Sequence, residues 1–372
     1  MRFIADTAAL ARALRHVAPI IAPQNTLPAL AGIALDADAA GTVRLTATDL
    51  TTEITATVPA TVEESGGVVL PADTLVALLT RLPAATVRCA VEGTLATVTA
   101  GKSRTKLQGF APPEMPRFLA LDPSTPSHTW ALDAGVLANL ARQTVFAASK
   151  DAARPILNGV QVTVADGQMT VVGTDGVRLS HAHAPVADLS GDPPPFVVPR
   201  RAFLEAARLA GPEGAILTQV GDRLRLETLN GTVTTLLLQG KYPDVERVVS
   251  DSSDASVAFR VAADAFRAAV ERINVVALRD RAPTLSLRCQ AGRLEIEAAN
   301  EMGRSLEVLD VDADSDESMT LAFDPRLLLD ALKSLEADVI AVSFLAADRP
   351  VRLAAADPAR YFHIVLPLRP TG

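Results

Sequence analysis

The sequence has little cysteine, few aromatic residues and no long hydrophobic run, and these scarcities exclude several classes of protein. Two cysteines in 372 residues, Cys89 and Cys289, exclude a disulfide framework and a cysteine zinc site. No stretch approaches the roughly 20 apolar residues that span a bilayer. Asp6 interrupts the N-terminus before any apolar core, so it does not resemble a signal peptide. We therefore expect a soluble, cytoplasmic protein.

The charge balance is acidic, with a formal net charge of −8 and an isoelectric point near 5.3. This balance argues against a broadly basic nucleic-acid binder but leaves room for a local positive surface. Only five of the 35 basic residues are Lys, and arginine grips phosphate with a planar fork. A GC-rich coding sequence would produce the same bias, so composition alone leaves both interpretations open.

One helical pattern occurs three times, starting at Phe3, Trp130 and Phe259. In each copy, an apolar residue seven positions later begins an i, i+3, i+4, i+7 stripe, which predicts one face of an amphipathic helix. Asp6 and Asp133 stand where an N-cap oxygen would accept from free backbone amides. The three stripes are Leu10-Ala13-Leu14-Val17, Leu137-Leu140-Ala141-Thr144 and Phe266-Ala269-Val270-Ile273.

Two further patterns recur in phase with these helices. Alternating strands end in polar turns at Asp49, Asp175 and Asn300, and strands run into helix starts at Pro71, Pro199 and Asp324. Three markers at one spacing indicate a chain built from repeats of about 120 residues.

Proline-rich and turn-rich stretches around 110–129 and 241–256 have linker composition. We therefore predict domains at 1–122, 127–248 and 254–372. Short alternating strands dominate the rest of each repeat, with an Asn230-Gly231 hairpin turn in the second. The predicted fold class is α+β, with two helices over a largely antiparallel sheet in each domain.

Several patterns imitate catalytic or metal sites and fail on inspection. The run from Ala96 to Ser103 fits a loose phosphate-loop pattern, but it alternates like a strand and no helix follows, so we predict a hairpin. The acidic run at 310–317 lacks the glycine and the twelfth-position glutamate of a calcium loop. His181 and His183 alternate on one strand without a nearby cluster. Asp49 and Asp175 occupy equivalent repeat positions, which favours turn formers over a catalytic pair.

The outer faces of several predicted helices are neutral to basic. Arg12 and Arg15 lie away from the first apolar stripe, and Arg201 and Arg208 are seven residues apart on one later helix. Ordinary solvated helix faces explain this pattern, and so does contact with phosphates without sequence readout.

Several strings now carry a family resemblance over Phe3 to Arg369: ILNGV at 156–160, TDGVRLS at 174–180, KYPDVERV at 241–248 and HIVLPLR at 363–369. Together with three tandem repeats they resemble the bacterial DNA polymerase III beta subunits, the sliding clamps. The resemblance implies a non-enzymatic ring, in which two three-domain crescents close head-to-tail as a homodimer. Helices would line a hole for double-stranded DNA. No cofactor or metal is implied.

The resemblance also implies partners. Polymerase III alpha subunits, clamp-loader subunits and repair proteins would dock a short peptide between the second and third domains, conferring processivity. Two alternatives remain: a second-copy clamp of plasmid, phage or resistance-associated origin, and an enzyme on the same repeat fold.

Matching positions supply three sets of candidate residues. The peptide pocket would comprise Leu157, Thr174, Gly176, Val177, Arg178, Leu179, Pro243, Arg247, Val248, Asp324, Leu327, Ile364, Val365, Leu366, Pro367, Leu368 and Arg369. The DNA-facing set would be Arg12, Arg15, Arg142, Lys150, Arg154, Arg200, Arg201 and Arg208. The dimer interface would include Lys102, Arg104, Leu107, Ile273, Glu301 and Glu307, with Leu107 and Ile273 supplying apolar contact and the exposed ion pairs adding only about 0–1 kcal/mol each.

Overall fold

A computed structural model describes most of the chain. It describes all residues except 22–26, 117, 119–123, 189–192, 212–213, 254–256, 279–282, 302, 314–317, 345, 347–348, 356–359 and 369–372, and describes only the backbone at 188, 250–253, 257–258 and 319. Arg369 of the predicted pocket therefore lies outside the described residues.

In the described part of the first domain there are two α-helices and eight strands. Its helices are α1 (Thr7–Val17) and α2 (Ala72–Arg81). Its strands are β1 (Arg2–Asp6), β2 (Gly32–Asp38), β3 (Thr42–Thr48), β4 (Thr52–Glu64), β5 (Gly66–Pro71), β6 (Thr86–Glu92), β7 (Leu95–Ala100) and β8 (Ser103–Gln108).

The second domain repeats this plan. Its helices are α3 (Val136–Thr144) and α4 (Arg200–Ala210). Its strands are β9 (Ser127–Leu132), β10 (Gly159–Ala165), β11 (Gln168–Thr174), β12 (Arg178–Pro185), β13 (Ala187–Asp188), β14 (Phe196–Pro199), β15 (Ala215–Val220), β16 (Arg223–Thr228) and β17 (Gly231–Leu236).

The third domain follows a linker helix, α5 (Val245–Ser253), and contains α6 (Ala263–Ala277) and α7 (Pro325–Ser334). Its strands are β18 (Val257–Ala262), β19 (Leu285–Gln290), β20 (Arg293–Asn300), β21 (Gly303–Asp310), β22 (Asp312–Ala313), β23 (Met319–Phe323), β24 (Val339–Ser343), β25 (Val351–Ala354) and β26 (Tyr361–Val365). Apart from the short β13 and β22, all three domains share one element order, so the α+β fold of three tandem repeats is confirmed.

Of the three aspartates predicted to begin helices, two act as N-caps, at the first helix of the first domain and the second helix of the third. Asp6 accepts from the N–H of Ala9 over 2.7 Å, and Asp324 accepts from the N–H of Arg326 over 2.9 Å. The prediction for Asp133 is wrong. Helix α3 begins two residues later than that cap would require, after Gly135 at φ +75°, a left-handed conformation that glycine adopts at low cost.

The turn predictions hold, with small shifts. Asp49 accepts from the N–H groups of Thr51 and Thr52 at 2.9 and 2.8 Å, which is turn formation and not catalysis. Gly101 and Lys102 form the hairpin turn between β7 and β8. The turn between β16 and β17 lies at Leu229-Asn230, one residue before the predicted one.

Backbone pairing joins the domains into continuous sheets. β17 pairs antiparallel with β4, from Thr232 opposite Thr55 to Thr235 opposite Thr52. β12 pairs antiparallel with β26, from Arg178 opposite Val365 to Ala182 opposite Tyr361. The outcome is a 13-stranded sheet across the first two domains and a nine-stranded sheet across the last two.

A separate four-stranded sheet of the third domain has the order β21-β20-β19-β23. The helices bury the predicted stripes against the sheets, and α6 packs on this four-stranded one. Phe3, Trp130, Phe259, Phe266 and Phe323 are among the largest fully buried side chains. Within the described part of the chain, no helix is long and apolar enough to cross a membrane.

Candidate functional site

A mainly apolar cavity of about 190 Å³ lies where the second and third domains meet. Its walls come from the loop after β11, from the linker at Pro243–Val248 and from the chain's last strand. Nine of the predicted pocket residues line it: Thr174, Gly176, Val177, Arg178, Leu179, Pro243, Val248, Ile364 and Leu366. Val177 is 48% exposed and Leu366 is 39% exposed, so both offer apolar area to a ligand.

The other predicted pocket residues lie around this cavity without lining it. Leu157 is buried in the apolar cluster beneath it, with Leu179, Tyr242 and Ile364. The structure contradicts the prediction that Val365 lines the pocket. Val365 is fully buried in the main core, because alternate residues of β26 face opposite sides of the sheet. The remaining residues, Arg247, Asp324, Leu327, Pro367 and Leu368, do not line the cavity.

Three lining residues escaped prediction: Asp244, Val245 and Pro350. The stretch 241–256 is predicted as a linker, but residues 245–253 form α5. Val245 and Val248 are three apart, so one turn of α5 places them on the same face. This spacing is the feature of the sequence from which Val245 could have been predicted to line the pocket. Nothing in the sequence marks Pro350.

The wall at 174–178 is a tight, hydrogen-bonded turn. Asp175 Oδ1 accepts from the N–H groups of Val177 and Arg178, both at 3.0 Å. Thr174 Oγ1 accepts from the N–H of Gly176 over 3.1 Å. Gly176 has φ +95°, and a Cβ there would stand 3.1 Å from Nη1 of Arg154. Arg154, predicted to face DNA, therefore lies against the pocket wall.

Arg178 is the most heavily bonded side chain at this junction. Its Nε donates to Asp175 Oδ2 over 2.9 Å, and its Nη2 donates to the carbonyl of Phe146 over 2.8 Å. Its Nη1 donates to Asp330 Oδ2 over 2.7 Å, across the domain boundary. Asp324 lies close enough for Arg178 to affect its ionisation. Burial alone would raise the pKa of Asp324, but hydrogen bonds from Arg326, with smaller contributions from the charges of Arg326 and Arg178, lower it.

A buried polar group lies behind the pocket. His363 is fully buried, its Nδ1 lies 2.5 Å from Ser180 Oγ, and its ring stacks on Phe146 at a centroid distance of 5.4 Å. Burial, with a smaller contribution from Arg178, lowers the pKa of His363 to about 3. On the same strands, burial, followed by the charges of His183 and Arg352, lowers the pKa of His181 to about 4.

The predicted DNA-facing residues differ in how exposed they are and in whether an acidic side chain neutralises their charge. Arg12, Arg15, Lys150 and Arg154 are exposed. The pKa of His16 is lowered by burial and then by the charges of Arg12 and Arg15, which indicates a positive potential along α1. Arg208 is partly neutralised, because its Nη1 lies 3.2 Å from the buried carboxylate of Glu205. Arg200 is half-buried at the start of α4.

Arg142 and Arg201 have structural partners that the sequence did not suggest. Arg142 donates to the carbonyl of Ser334 over 2.9 Å and pairs with Glu336 at 3.0 Å, both in the third domain. Arg201 donates to the carbonyls of Pro19 and Ile21 in the first domain, the latter over 3.0 Å. Each of these arginines ties two domains together, and because their side chains remain 35% and 41% exposed, their contact with DNA stays a prediction.

Comparison with known proteins identifies the family. Three family models match in order: the N-terminal, central and C-terminal domains of the DNA polymerase III beta subunit, at residues 1–120, 131–244 and 252–369. The chain belongs to the DNA polymerase III beta subunit family.

Individual relatives agree with this assignment. The beta sliding clamp of Caulobacter vibrioides is 31% identical over 340 residues, covering 89% of each chain. That of Bacillus subtilis is 27% identical over 382 residues, covering 99% of this chain and all of the relative. The crystal structure of the Bacillus subtilis DNA polymerase sliding clamp superposes with a TM-score of 0.90 at 27% identity, covering 99% of both chains.

In this beta subunit, two of the predicted interface residues are placed differently from expectation. Ile273 is fully buried and Leu107 is 8% exposed. Both pack in the core of their own domains, so the prediction that they supply apolar contact to a second copy is wrong. Glu301 is exposed. Glu307 forms two hydrogen bonds with Arg272 of its own chain, at 2.8 and 2.6 Å.

Other apolar side chains of the third domain are exposed, among them Val275 of α6 at 69%. Leu306 and Val308 of β21 are 49% and 47% exposed, and β21 is the edge of its four-stranded sheet. Within the described residues, no group of three His, Cys, Asp or Glu side chains is placed to hold a metal ion.

Proposed function

We propose that this protein is a DNA sliding clamp, a homodimeric ring that encircles duplex DNA without sequence specificity. We place its domains at 1–122, 127–248 and 254–372. Its membership of the beta subunit family supports this function, and so does one feature of its internal repeat. The strands equivalent to those that join neighbouring domains lie at sheet edges in the first and third domains.

The repeat makes this argument specific. β4, β12 and β21 occupy equivalent positions in the three domains, as do β8, β17 and β26. β17 pairs with β4 and β26 pairs with β12, whereas β21 and β8 are edge strands. Exposed edges are a template for pairing with another chain. Two copies would place β8 of each against β21 of the other, which closes a two-fold ring.

The chemistry of these two edges is complementary. β8 and its turn expose Lys102, Arg104 and Lys106, while the facing domain presents the exposed Glu301 and the apolar Leu306 and Val308. Glu307 would have to exchange its own-chain partner Arg272 to contribute. Because exposed ion pairs contribute only about 0–1 kcal/mol each, the apolar pair and the new backbone hydrogen bonds would contribute most of the affinity.

The inner helices, together with the loop after α3 that carries Lys150 and Arg154, would contact DNA through phosphates. Arg12, Arg15, Lys150, Arg154 and Arg200 provide positive charge without an aromatic platform for stacking bases, so contact would be non-specific and salt-dependent. Retention would then come from topology, which lets a protein of net charge −8 serve on DNA in the cytoplasm.

The cavity between the second and third domains would bind a short apolar peptide carried by partners such as polymerase III alpha subunits, clamp-loader subunits and repair proteins. Apolar walls with a few polar groups at the rim suit such a ligand. The protein would be non-catalytic, as its family membership implies, and Asp49 and Asp175 would serve to hold their turns together. It would add processivity to the polymerase by tethering it.

Solution mass tests ring closure. Sedimentation at micromolar concentration should give twice the 39.0 kDa of the chain. A strictly monomeric protein would overturn the proposed ring.

A further inference from the structure

The peptide cavity has walls from two domains, so its width depends on how those domains are held together. Gly176 and Val177 belong to the second domain, whereas Pro350, Ile364 and Leu366 belong to the third. One direct backbone bond crosses the gap at the wall itself, from the N–H of Leu366 to the carbonyl of Val177 over 2.9 Å.

Arg178 adds a side-chain connection across the same gap to the β12–β26 ladder, in which its backbone lies opposite Val365. Its side chain is 10% exposed, and two of its three nitrogens bond within the second domain, to Asp175 and to the carbonyl of Phe146. The third donates to Asp330 on α7, over 2.7 Å. Asp330 is 48% exposed and does not line the cavity.

This geometry gives Asp330 a role that is distinct from ligand contact. A charge-assisted hydrogen bond to a largely buried guanidinium is stronger than a solvent-exposed pair. Arg178 directly follows Gly176 and Val177 in the chain, and its Nε bonds to Asp175 of the same turn. Fixing Arg178 therefore also fixes the turn that forms the wall.

We propose that Asp330 is a positioning residue for peptide binding: through Arg178 it holds the 174–178 wall at a fixed spacing from Leu366. This inference rests on the proposed function, in which the cavity takes an apolar peptide. A peptide would meet a preformed pocket and would not pay to order it, which favours affinity.

The same domain boundary supplies a matched control. Glu336 pairs with Arg142 across it at 3.0 Å and is 73% exposed, but neither residue lines the cavity. Removing that charge also removes a cross-domain ion pair, while leaving Arg178 and the wall turn untouched.

The experiment compares Asp330→Asn, Asp330→Glu and Glu336→Gln with the wild-type protein. The probe is an uncharged apolar hexapeptide with blocked termini, labelled with an electrically neutral fluorophore of the BODIPY type and read by fluorescence anisotropy. Asp330→Asn should weaken binding about 5- to 20-fold, Asp330→Glu should recover most of that loss, and Glu336→Gln should stay within about twofold of wild type.

Salt dependence separates positioning from general stability. The probe is uncharged, so any loss of wild-type affinity between about 50 and 500 mM NaCl reports on ion pairs within the protein. That loss should be smaller in Asp330→Asn. Unchanged affinity in Asp330→Asn, or an equal loss in Glu336→Gln, would overturn the positioning role while leaving the pocket in place. No binding by the wild-type protein would overturn the pocket and this inference together.

Discussion

The N–H of Leu366 donates to the carbonyl of Val177 over 2.9 Å, and the N–H of Leu236 donates to the carbonyl of Thr51 over 2.8 Å at the preceding domain boundary. These two bonds occupy equivalent places in the internal repeat. The same backbone connection therefore builds both junctions, and their side chains distinguish them. Leu179, Ile364 and Leu366 make the second junction apolar, whereas Glu53 and Thr234 make the first one polar.

Leu366→Ala should weaken binding of the apolar hexapeptide by about one to two orders of magnitude, since burying a leucine contributes roughly 1.5–3 kcal/mol. Leu368→Ala is the matched control. Leu368 has the same exposure as Leu366, 39%, but does not line the cavity. Fluorescence anisotropy measures both, and an equal loss in the two variants would contradict the placement of the pocket.

Deleting Leu366–Gly372 should remove peptide binding almost completely while leaving the dimer intact. The deletion takes away one cavity wall and the bond to Val177, but β8 and β21 lie elsewhere. Analytical ultracentrifugation checks the dimer in parallel with the binding assay. Full peptide affinity in the truncated dimer would show that the wall has been assigned wrongly.

Gly176→Ala should destabilise the pocket wall by about 1 kcal/mol, because φ +95° is unfavourable for a residue with a Cβ. The added Cβ would also stand 3.1 Å from Nη1 of Arg154. Adding Arg154→Ala separates the two causes: if the backbone strain dominates, the double variant should remain as weak in peptide binding as Gly176→Ala alone. Recovery of binding in the double variant would attribute the loss to the side-chain contact.

Leu306→Asp should shift the protein from dimer to monomer, because it places a charge in the centre of the proposed β21–β8 pairing. Ile216→Asp is the control, since Ile216 is 45% exposed on β15, away from both edges. Sedimentation measures the masses. By contrast, Ile273→Ala should cost about 2–5 kcal/mol of folding stability without specifically opposing dimer formation. A fully dimeric Leu306→Asp would contradict the proposed edge.

Stability should fall as the pH drops below about 6.5, the ordinary pKa of histidine. The folded-state pKa values of His363 and His181 are lowered to about 3 and about 4, so the unfolded chain binds more protons between these values and 6.5. Each histidine then costs up to about 1.4 kcal/mol per pH unit in that window. Thermal unfolding at pH 7 and pH 5 measures the effect, which His181→Gln should reduce. An identical pH dependence in that variant would contradict a contribution from His181.

The sequence predicted the repeat because helix stripes and turn aspartates depend on local spacing. It did not predict what depends on other domains. Arg142 and Arg201 resemble ordinary surface arginines until their carbonyl partners, which are 192 and 180 residues away, are known. The role of Asp330 could not be predicted from the sequence for the same reason, because its partner Arg178 lies in another domain.

Two errors arose where family correspondence was preferred to the residue pattern. Ile273 ends the predicted apolar stripe of α6, and a stripe that packs on the sheet cannot also face a partner. Val365 follows Ile364 on one strand, so only one of them can point into the cavity. In both cases the periodicity visible in the sequence, helical for Ile273 and alternating for Val365, agrees with the observed placement.

The central claim is topological, and retention on DNA tests it most directly. Protein assembled on nicked circular plasmid by a clamp loader should stay bound through a wash at high salt, and should be lost once the plasmid is cut to a linear form. Direct binding without loading should be weak and steeply salt-dependent. Equal retention on circular and linear DNA would contradict the ring.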